Sequence, residues 1–270
     1  MPEIPFWKAT GTGNDFLVVD NREGVLPEGD LAEFAVAKCP RRAAVGADGV
    51  LLIEDAPKAD FRMRLFNADG SEAEMCGNGI RCVALVAREC GAGGKAQRID
   101  TLAGLIGVSF TEAGVRVQMT EPGDIELIDA LEAAGETFEV RFINTGVPHA
   151  VICVDDVAGV PVREWGRAVR MHERFRPAGT NVNFVKYLDS GIRIRTYERG
   201  VEDETFACGT GCVAAAAVAV FEERLSSPVE LEAVGGRLRV HVGLKAGVAV
   251  SAELEGPAEI VYRGSTPWGG

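Results

Sequence analysis

Short segments in which apolar and polar residues alternate recur along the whole chain. This alternation is typical of half-buried strands in antiparallel or mixed sheets. We therefore predict strands at positions 16–19, 49–53, 61–66, 107–110, 151–154, 182–185, 192–197, 237–242 and 247–252.

Predicted helices are fewer and are of two kinds. Segments 30–38 and 162–171 are amphipathic, whereas segments 79–90 and 211–224 are rich in alanine and valine and almost free of charge until their last turn. A helix that is apolar on all sides has to be buried. We therefore predict an α/β (α+β) fold in which each half of the chain wraps a curved mixed sheet, or barrel, around its own central helix.

The two halves of the chain carry similar motifs. Asn67–Gly79 and Arg199–Gly211 each run from an acidic loop into Cys-Gly-x-Gly, and their cysteines, Cys76 and Cys208, lie 132 positions apart. Two further pairs of segments match at a spacing of 133, namely 12–19 with 145–152 and 46–50 with 179–183. Because this spacing is far longer than a solenoid repeat, it indicates a duplicated domain.

We predict two pseudo-symmetric domains, at positions 1–120 and 121–263. The junction falls in the turn-forming cluster 121–124. In this division the C-terminal tail, 264–270, can return to the first domain.

Composition restricts the function. The chain has 270 residues, a net charge of −12 and 25% charged residues, whereas nucleic-acid binding requires a basic surface. The N-terminus lacks the basic and apolar regions of a signal peptide, and the longest uncharged run, 205–221, predicts a buried helix. Seven cysteines without an export signal indicate reduced thiols. We expect a cytoplasmic protein that binds neither membranes nor nucleic acid.

The repeated motif places each cysteine at the start of a helix. Free backbone N–H groups and the positive end of the helix dipole meet there, which lowers the pKa of a nearby thiol and can hold a carboxylate. Glycines in the motif allow a ligand to approach the backbone. Two such thiols on opposite faces of an α-carbon would suit proton removal from one face and proton return to the other, while the N–H groups stabilise the enolate-like charge.

Other roles for these cysteines fit the sequence less well. Cys208 and Cys212 form C-x3-C, but the sequence supplies no second cluster of the kind that zinc requires, so we predict no metal. None of the six lysines lies in a repeated motif, which disfavours pyridoxal phosphate, and we predict no cofactor. A bridge between Cys76 and Cys208 could form in air, although the compartment disfavours it as the working state.

At these residues the chain closely resembles the diaminopimelate epimerases. This family interconverts LL- and meso-2,6-diaminopimelate in lysine synthesis without a cofactor. The resemblance implies the family's fold of two α/β domains, an active site in the cleft between them and a two-base thiol mechanism. It rests on GTGNDF at 11–16, VGADG at 45–49, FNADGSEAEMCGNGIRC at 66–82, TGVPH at 145–149, NVNFV at 181–185 and YERGVEDETFACGTG at 197–211.

The resemblance also implies roles for individual residues. Cys76 and Cys208 correspond to the base and acid pair, and His149 and Glu198 are candidates for tuning the thiols by accepting or relaying protons. The residues that correspond to the carboxylate-binding loops are Gly77, Asn78, Gly209 and Thr210. Those that correspond to the groups holding the distal end of the substrate are Asn14, Asn67, Asn181, Glu198 and Arg199.

Two positions depart from the family pattern, and two alternatives stay open. Val147 stands where many members carry asparagine, and Gly49 where some carry glutamine. A proline or hydroxyproline racemase would typically have histidine at the position of Asn78 and would not need Glu198 and Arg199. A non-catalytic, redox-sensing thiol protein is the other alternative. The expected partner is a small-molecule substrate, diaminopimelate, and a homodimer is a compatible assembly.

Overall fold

The computed structural model describes residues 1–245 and 248–269 and divides into two compact units. The first unit comprises Met1–Val117 together with the C-terminal segment from Gly256, and the second comprises Gln118–Glu255. The predicted boundaries were 120 and 264, so the C-terminal return begins earlier than we expected.

The first unit is mostly sheet, with one short and one central helix. Its helices are a 3-10 turn at Glu28–Asp30, α1 (Leu31–Lys38) and α2 (Gly77–Glu89). Its strands are β1 (Glu3–Gly11), β2 (Asn14–Asp20), β3 (Gly49–Glu54), β4 (Phe61–Asn67), β5 (Glu72–Ala73), β6 (Ala96–Thr101), β7 (Gly104–Phe110), β8 (Val115–Met119, which ends just past the unit) and β18 (Glu259–Pro267).

The second unit has the same kinds of element. Its helices are α3 (Val162–Arg170), a 3-10 turn at Glu173–Phe175 and α4 (Gly209–Phe221). Its strands are β9 (Glu126–Ala133), β10 (Glu136–Asn144), β11 (Pro148–Cys153), β12 (Asn181–Leu188), β13 (Gly191–Glu198), β14 (Asp203–Thr205), β15 (Val229–Ala233), β16 (Gly236–Lys245) and β17 (Val248–Gly256).

Strand pairing follows one scheme in both units. The first sheet has the order β18-β1-β2-β3-β4-β6-β7-β8, with β2–β3 and β4–β6 parallel and the other neighbours antiparallel. The second has the order β9-β10-β11-β12-β13-β15-β16-β17, with β11–β12 and β13–β15 parallel. The predicted duplication and the mixed α/β class are therefore confirmed.

The central helices occupy the interiors of their units. All ten residues from Gly211 to Val220 in α4 are buried, and α2 buries its first turns in the same way. α2 contacts β1 to β4 and β18, and α4 contacts β10 to β13 and β16. This surrounding sheet explains why alanine and valine line these helices on every side, as the sequence predicted.

Most predicted elements are present with small shifts in their ends. The central helices begin two residues earlier than predicted, so that each starts immediately after its cysteine. Strands β1, β9, β10 and β18 are the longest that the sequence pattern missed. The predicted strand at 247–252 corresponds to β17, but its first residue, Gly247, lies outside the described residues.

β18 explains the difference in the domain boundary. It pairs antiparallel with β1 from Glu3 opposite Pro267 to Thr10 opposite Glu259, so that the first unit takes the whole strand and not only the tail. None of the helices in the described part of the chain is long and apolar enough to cross a membrane.

Candidate active site

Cys76 and Cys208 each occupy the residue immediately before the first turn of a central helix. Both have extended backbone conformations, and the backbone carbonyl of each accepts the first helical hydrogen bond, from Ile80 N at 2.8 Å and from Cys212 N at 2.9 Å. The three residues after each cysteine have no acceptor four positions earlier within the helix. Each motif therefore presents backbone N–H groups beside a thiol, as the sequence predicted.

The surroundings of Cys208 overturn the expected pKa. Burial and the nearby charge of Glu198 raise the pKa of Cys208, even though contacts with Thr210 and the backbone N–H of Gly211 favour the thiolate. The Sγ of Cys208 lies 3.4 Å from the Oγ1 of Thr210. A helix N-terminus alone does not decide the protonation state here, because Cys208 is only 7% exposed and desolvation dominates. In these surroundings Cys208 is therefore a thiol at neutral pH.

Glu198 is a buried carboxyl group beside that thiol. Burial raises the pKa of Glu198, while hydrogen bonds from Thr205 and Cys208 lower it. The Thr205 hydroxyl donates to the Glu198 carboxylate at 2.9 Å. Glu198 therefore lies within hydrogen-bonding reach of Cys208.

Asn181 and Arg199 lie next to each other at the ends of their strands. The Oδ1 of Asn181 accepts a hydrogen bond from the backbone N–H of Arg199 at 2.8 Å, and its Nδ2 donates to the carbonyl of Pro148 at 3.0 Å. Asn181 is only 4% exposed. The structure therefore shows Asn181 fixing the backbone at Arg199, while the guanidinium of Arg199 makes one long contact, 3.4 Å, with the carbonyl of Ala178.

In the first unit, Asn14 and Asn78 form part of one hydrogen-bond chain. The Nδ2 of Asn78 donates to the Oδ1 of Asn14 at 2.7 Å, and the Nδ2 of Asn14 donates to Asp48 at 2.9 Å. Asn67, at the end of β4, is exposed and donates to the hydroxyl of Ser71 at 3.0 Å. Two predicted site residues are thus brought together, and the third faces solvent near the same end of the sheet.

Arg81 is a residue of this region that the sequence analysis missed. It is fully buried, and its guanidinium donates to the side chains of Thr12 at 2.7 Å and Asn78 at 2.8 Å. It also donates to the carbonyls of Gly77 at 3.1 Å and Pro257 at 3.3 Å. The signal available in the sequence was that Arg81 is the one charged residue of α2 before its last turn. Arg81 holds the Cys-Gly-Asn-Gly loop from behind and adds positive charge to it.

His149 differs from the expectation that it accepts or relays protons. It is fully buried, and burial together with the charge of Arg199 lowers the pKa of His149 to about 3. Its Nδ1 lies 3.0 Å from the Nδ2 of Asn183. A group with this pKa stays neutral at physiological pH, so it does not carry a proton as an imidazolium.

The glycines of the two motifs differ in how much space surrounds them. A Cβ on Gly79 would make ordinary contacts of 3.4–3.6 Å, whereas a Cβ on Gly211 would overlap the Oδ1 of Asn183. Gly77 and Gly209 each form the first residue of a central helix. Gly49 is one of the two positions that depart from the family pattern. A Cβ on Gly49 would lie 2.6 Å from the carbonyl oxygen of Phe66. Glutamine therefore could not replace Gly49 without a shift of the backbone.

The remaining thiols and acidic groups do not form a second centre among the described residues. Burial raises the pKa of Cys39 to about 11 and that of Cys82 to about 12. The described part of the chain contains no cluster of three His, Cys, Asp or Glu side chains that could share a metal ion.

Comparison with known proteins identifies the family. A family model for diaminopimelate epimerase matches residues 6–124 and 141–261, which is most of both units. The diaminopimelate epimerase of Aquifex aeolicus (strain VF5) is 50% identical over 227 residues, covering 80% of this chain and 81% of that protein. The chain belongs to the diaminopimelate epimerase family. Another diaminopimelate epimerase, from Methanocella arvoryzae, is 42% identical and covers 98% of this chain and 97% of its own length.

Solved structures at low identity share the fold of this diaminopimelate epimerase family member. A Bacillus anthracis protein of the PhzF family superposes with a TM-score of 0.77 at 17% identity, covering 99% of this chain and all of that chain. A hydroxyproline epimerase from Agrobacterium vitis superposes with a TM-score of 0.66 at 17% identity, covering 97% and 92%. At this identity the likeness concerns the fold alone.

Proposed function

We propose that this protein is a diaminopimelate epimerase that interconverts the LL and meso forms of 2,6-diaminopimelate by a two-base thiol mechanism. One observation carries the proposal: in a chain that belongs to this family, the two repeated cysteines begin the two equivalent buried helices. Each half thus supplies one thiol and one set of backbone N–H groups.

The reaction needs two groups that act on opposite faces of one carbon. The thiolate of one cysteine takes the α-proton, and the thiol of the other gives its proton to the opposite face. The configuration inverts, and the two cysteines exchange protonation states. Backbone N–H groups at Gly77, Asn78, Gly209 and Thr210 are the proposed donors to the substrate carboxylate, where they stabilise the charge that develops as the α-proton leaves.

The protonation state of Cys208 favours one direction from the unliganded enzyme. Burial and Glu198 keep Cys208 protonated, so this form of the enzyme is suited to donate a proton from Cys208 and to accept one at Cys76. In the reverse direction Cys208 must act as the base. Glu198, which accepts a hydrogen bond from Cys208, is the group that would take its proton.

The distal end of the substrate distinguishes this proposal from a proline or hydroxyproline racemase. Diaminopimelate has a second ammonium and a second carboxylate, whereas proline has neither. Arg199 suits a carboxylate because its planar guanidinium can form two parallel hydrogen bonds. We propose that Asn14, Asn67 and Asn181 complete this subsite, either by contact or, for Asn181, by fixing the backbone of Arg199.

The biological setting is part of the same proposal. The enzyme would work in the cytoplasm, in lysine biosynthesis, and would need no cofactor. It would bind neither membranes nor nucleic acid. A homodimer is the proposed assembly.

Turnover of purified protein with LL-diaminopimelate tests the proposal. Wild-type enzyme should form the meso isomer, whereas Cys76→Ala and Cys208→Ala should each lose turnover and keep the fold. Cys153→Ala is the matched control, because Cys153 lies at the exposed end of β11 outside both motifs. Racemisation of proline in place of diaminopimelate would favour the alternative enzyme. Thiol reactivity without turnover of either substrate would favour the redox-sensing alternative.

A further inference from the structure

The two units differ in polarity at one corresponding place beneath their central helices. In the first unit this place is apolar. A Cβ on Gly79 would lie 3.4 Å from Leu51 and 3.6 Å from Phe16, and Leu51 pairs with Leu65 on the neighbouring strand. The first turn of α2 therefore rests on hydrocarbon.

In the second unit the corresponding residues are polar. Gly211 packs against Asn183, and Asn183 pairs with Thr196 on the neighbouring strand. His149 stands 133 positions after Phe16, at the spacing of the repeat. Asn183, Thr196 and His149 are all buried. Burying a polar group costs free energy unless the group forms hydrogen bonds. The polar residues that replace apolar ones in the second unit should therefore have a specific role.

The contacts of Asn183 determine the orientation of its amide. Its nitrogen lies 3.2 Å from the carbonyl oxygen of Ala150 and 3.0 Å from the Nδ1 of His149, and its oxygen accepts from the hydroxyl of Thr196 at 3.1 Å. A backbone carbonyl can only accept. Rotating the amide by half a turn would place two oxygens against each other at Ala150. Asn183 therefore donates one of its two N–H groups to His149.

This donation determines which nitrogen of His149 carries the proton. Since Nδ1 accepts, the proton of the neutral ring has to lie on Nε2. Nε2 is buried and has no hydrogen-bond partner among the described residues. A buried N–H without a partner costs free energy, and a bound anionic group would provide the missing acceptor.

We propose that Asn183, oriented by Thr196 and Ala150, is a positioning residue that holds His149 as the Nε2-protonated tautomer. In this state His149 presents a hydrogen-bond donor, its Nε2–H group, to the reaction. This role rests on the proposed epimerase function, whereas the tautomer can be measured independently of it. The low pKa of His149, about 3, agrees with a ring that stays neutral.

Nitrogen NMR of histidine-labelled protein at neutral pH tests the tautomer directly. The Nε2-protonated form shows an unprotonated nitrogen, Nδ1, that couples strongly to the Hε1 proton alone. The other tautomer shows an unprotonated nitrogen that couples to both ring protons. His149→Gln assigns the signals against those of His172 and His241. An unprotonated Nε2, or a positively charged ring, at His149 would overturn the proposal.

Two variants test the positioning role. Asn183→Leu copies the residue that the first unit carries, and it should shift the Nδ1 resonance toward that of a nitrogen without a hydrogen bond. Thr196→Val removes the orienting hydroxyl with little change in shape, and Thr196→Ser retains it as the matched control. In Asn183→Leu and Thr196→Val, the loss of one neutral hydrogen bond should lower kcat by about three- to tenfold, with a smaller change in KM.

Each result of these experiments supports or contradicts the role of Asn183. An unchanged Nδ1 resonance and unchanged kcat in Asn183→Leu would contradict it. If Asn183→Leu fails to fold, the wild-type spectrum and the Thr196 pair still decide the question. If the spectra are as expected but the protein does not act on diaminopimelate, the tautomer assignment stands and the proposed function fails.

Discussion

Glu198 is the residue whose chemistry is most directly tied to one of the two thiols. Replacing it by glutamine removes the charge that raises the pKa of Cys208, so this pKa should fall. Turnover should nevertheless drop by about 100-fold or more, because Cys208 loses its proton acceptor. Thiolate absorbance against pH and kcat measure the two effects. Glu202→Gln, in the same turn but bonded to Arg170, is the control. Equal kcat in both variants would remove Glu198 from the mechanism.

Arg199 tests the distal subsite. Arg199→Lys keeps the charge but cannot make the planar two-point contact with a carboxylate, so kcat/KM for diaminopimelate should fall by about ten- to a hundredfold. Arg193→Lys on the same strand, where the arginine pairs with Glu232 at the surface, should change it little. An unchanged kcat/KM in Arg199→Lys would make Arg199 structural.

His149 links stability to pH. Its pKa is about 3 in the folded protein and 6.5 as the ordinary value, so between these values the unfolded chain binds more protons. The free energy of unfolding therefore keeps the full contribution of neutral His149 above pH 6.5. It loses that contribution as the pH falls toward 3, by up to ~1.4 kcal/mol per pH unit. Urea unfolding from pH 4.5 to 7 should show a steeper dependence for wild type than for His149→Gln. Identical slopes would show that His149 titrates normally.

Not all of these residues could be predicted from the sequence. Repetition of the cysteine motif was enough to predict that Cys76 and Cys208 precede the two central helices, because this position depends on local helix geometry. The pKa of Cys208 could not be predicted, since it depends on burial and on Glu198, which lies at the end of β13. The roles of Arg81 and Asn183 could not be predicted, because Thr12 and His149, which they contact, lie far from them along the chain.

At the scale of elements, the central helices offer a matched pair of substitutions. Gly79→Ala should be tolerated, because its new methyl group would meet only ordinary contacts. Gly211→Ala should destabilise the protein by about 1–3 kcal/mol, because the methyl group would overlap the amide of Asn183. Urea unfolding of the two variants measures the difference. Equal stability would contradict the close packing of Asn183 against α4.

The elements that the sequence pattern missed have physical explanations. β1 contains Pro5, which is unusual within a strand, and β9 exposes most of its residues and so lacks a continuous apolar face. β18 is also largely exposed, and its pairing with β1 joins residues 249 to 264 positions apart, from Thr10 opposite Glu259 to Glu3 opposite Pro267. Patterns within a short window do not contain this information.

At the scale of the whole molecule, the duplication explains the fold and is consistent with the proposed chemistry. The two units share their strand order and their parallel pairs, so each can present one thiol in the same local setting. They differ in charge and polarity near the motifs. The first unit has Arg81 behind its loop, and the second has Glu198 beside its thiol. A duplicated fold with unequal surroundings is suited to two thiols that carry different protonation states.

The most direct test of the two-thiol account is epimerisation of LL-diaminopimelate in D2O, stopped at low conversion. Each isomer is isolated, and deuterium at its α-carbon is measured by NMR or mass spectrometry. If one thiol removes the α-proton and the other returns a solvent-derived deuteron, newly formed meso product should carry deuterium at its α-carbon. The remaining LL substrate should keep its original hydrogen there. Early deuterium in both isomers to the same extent would indicate a single base and would contradict the account.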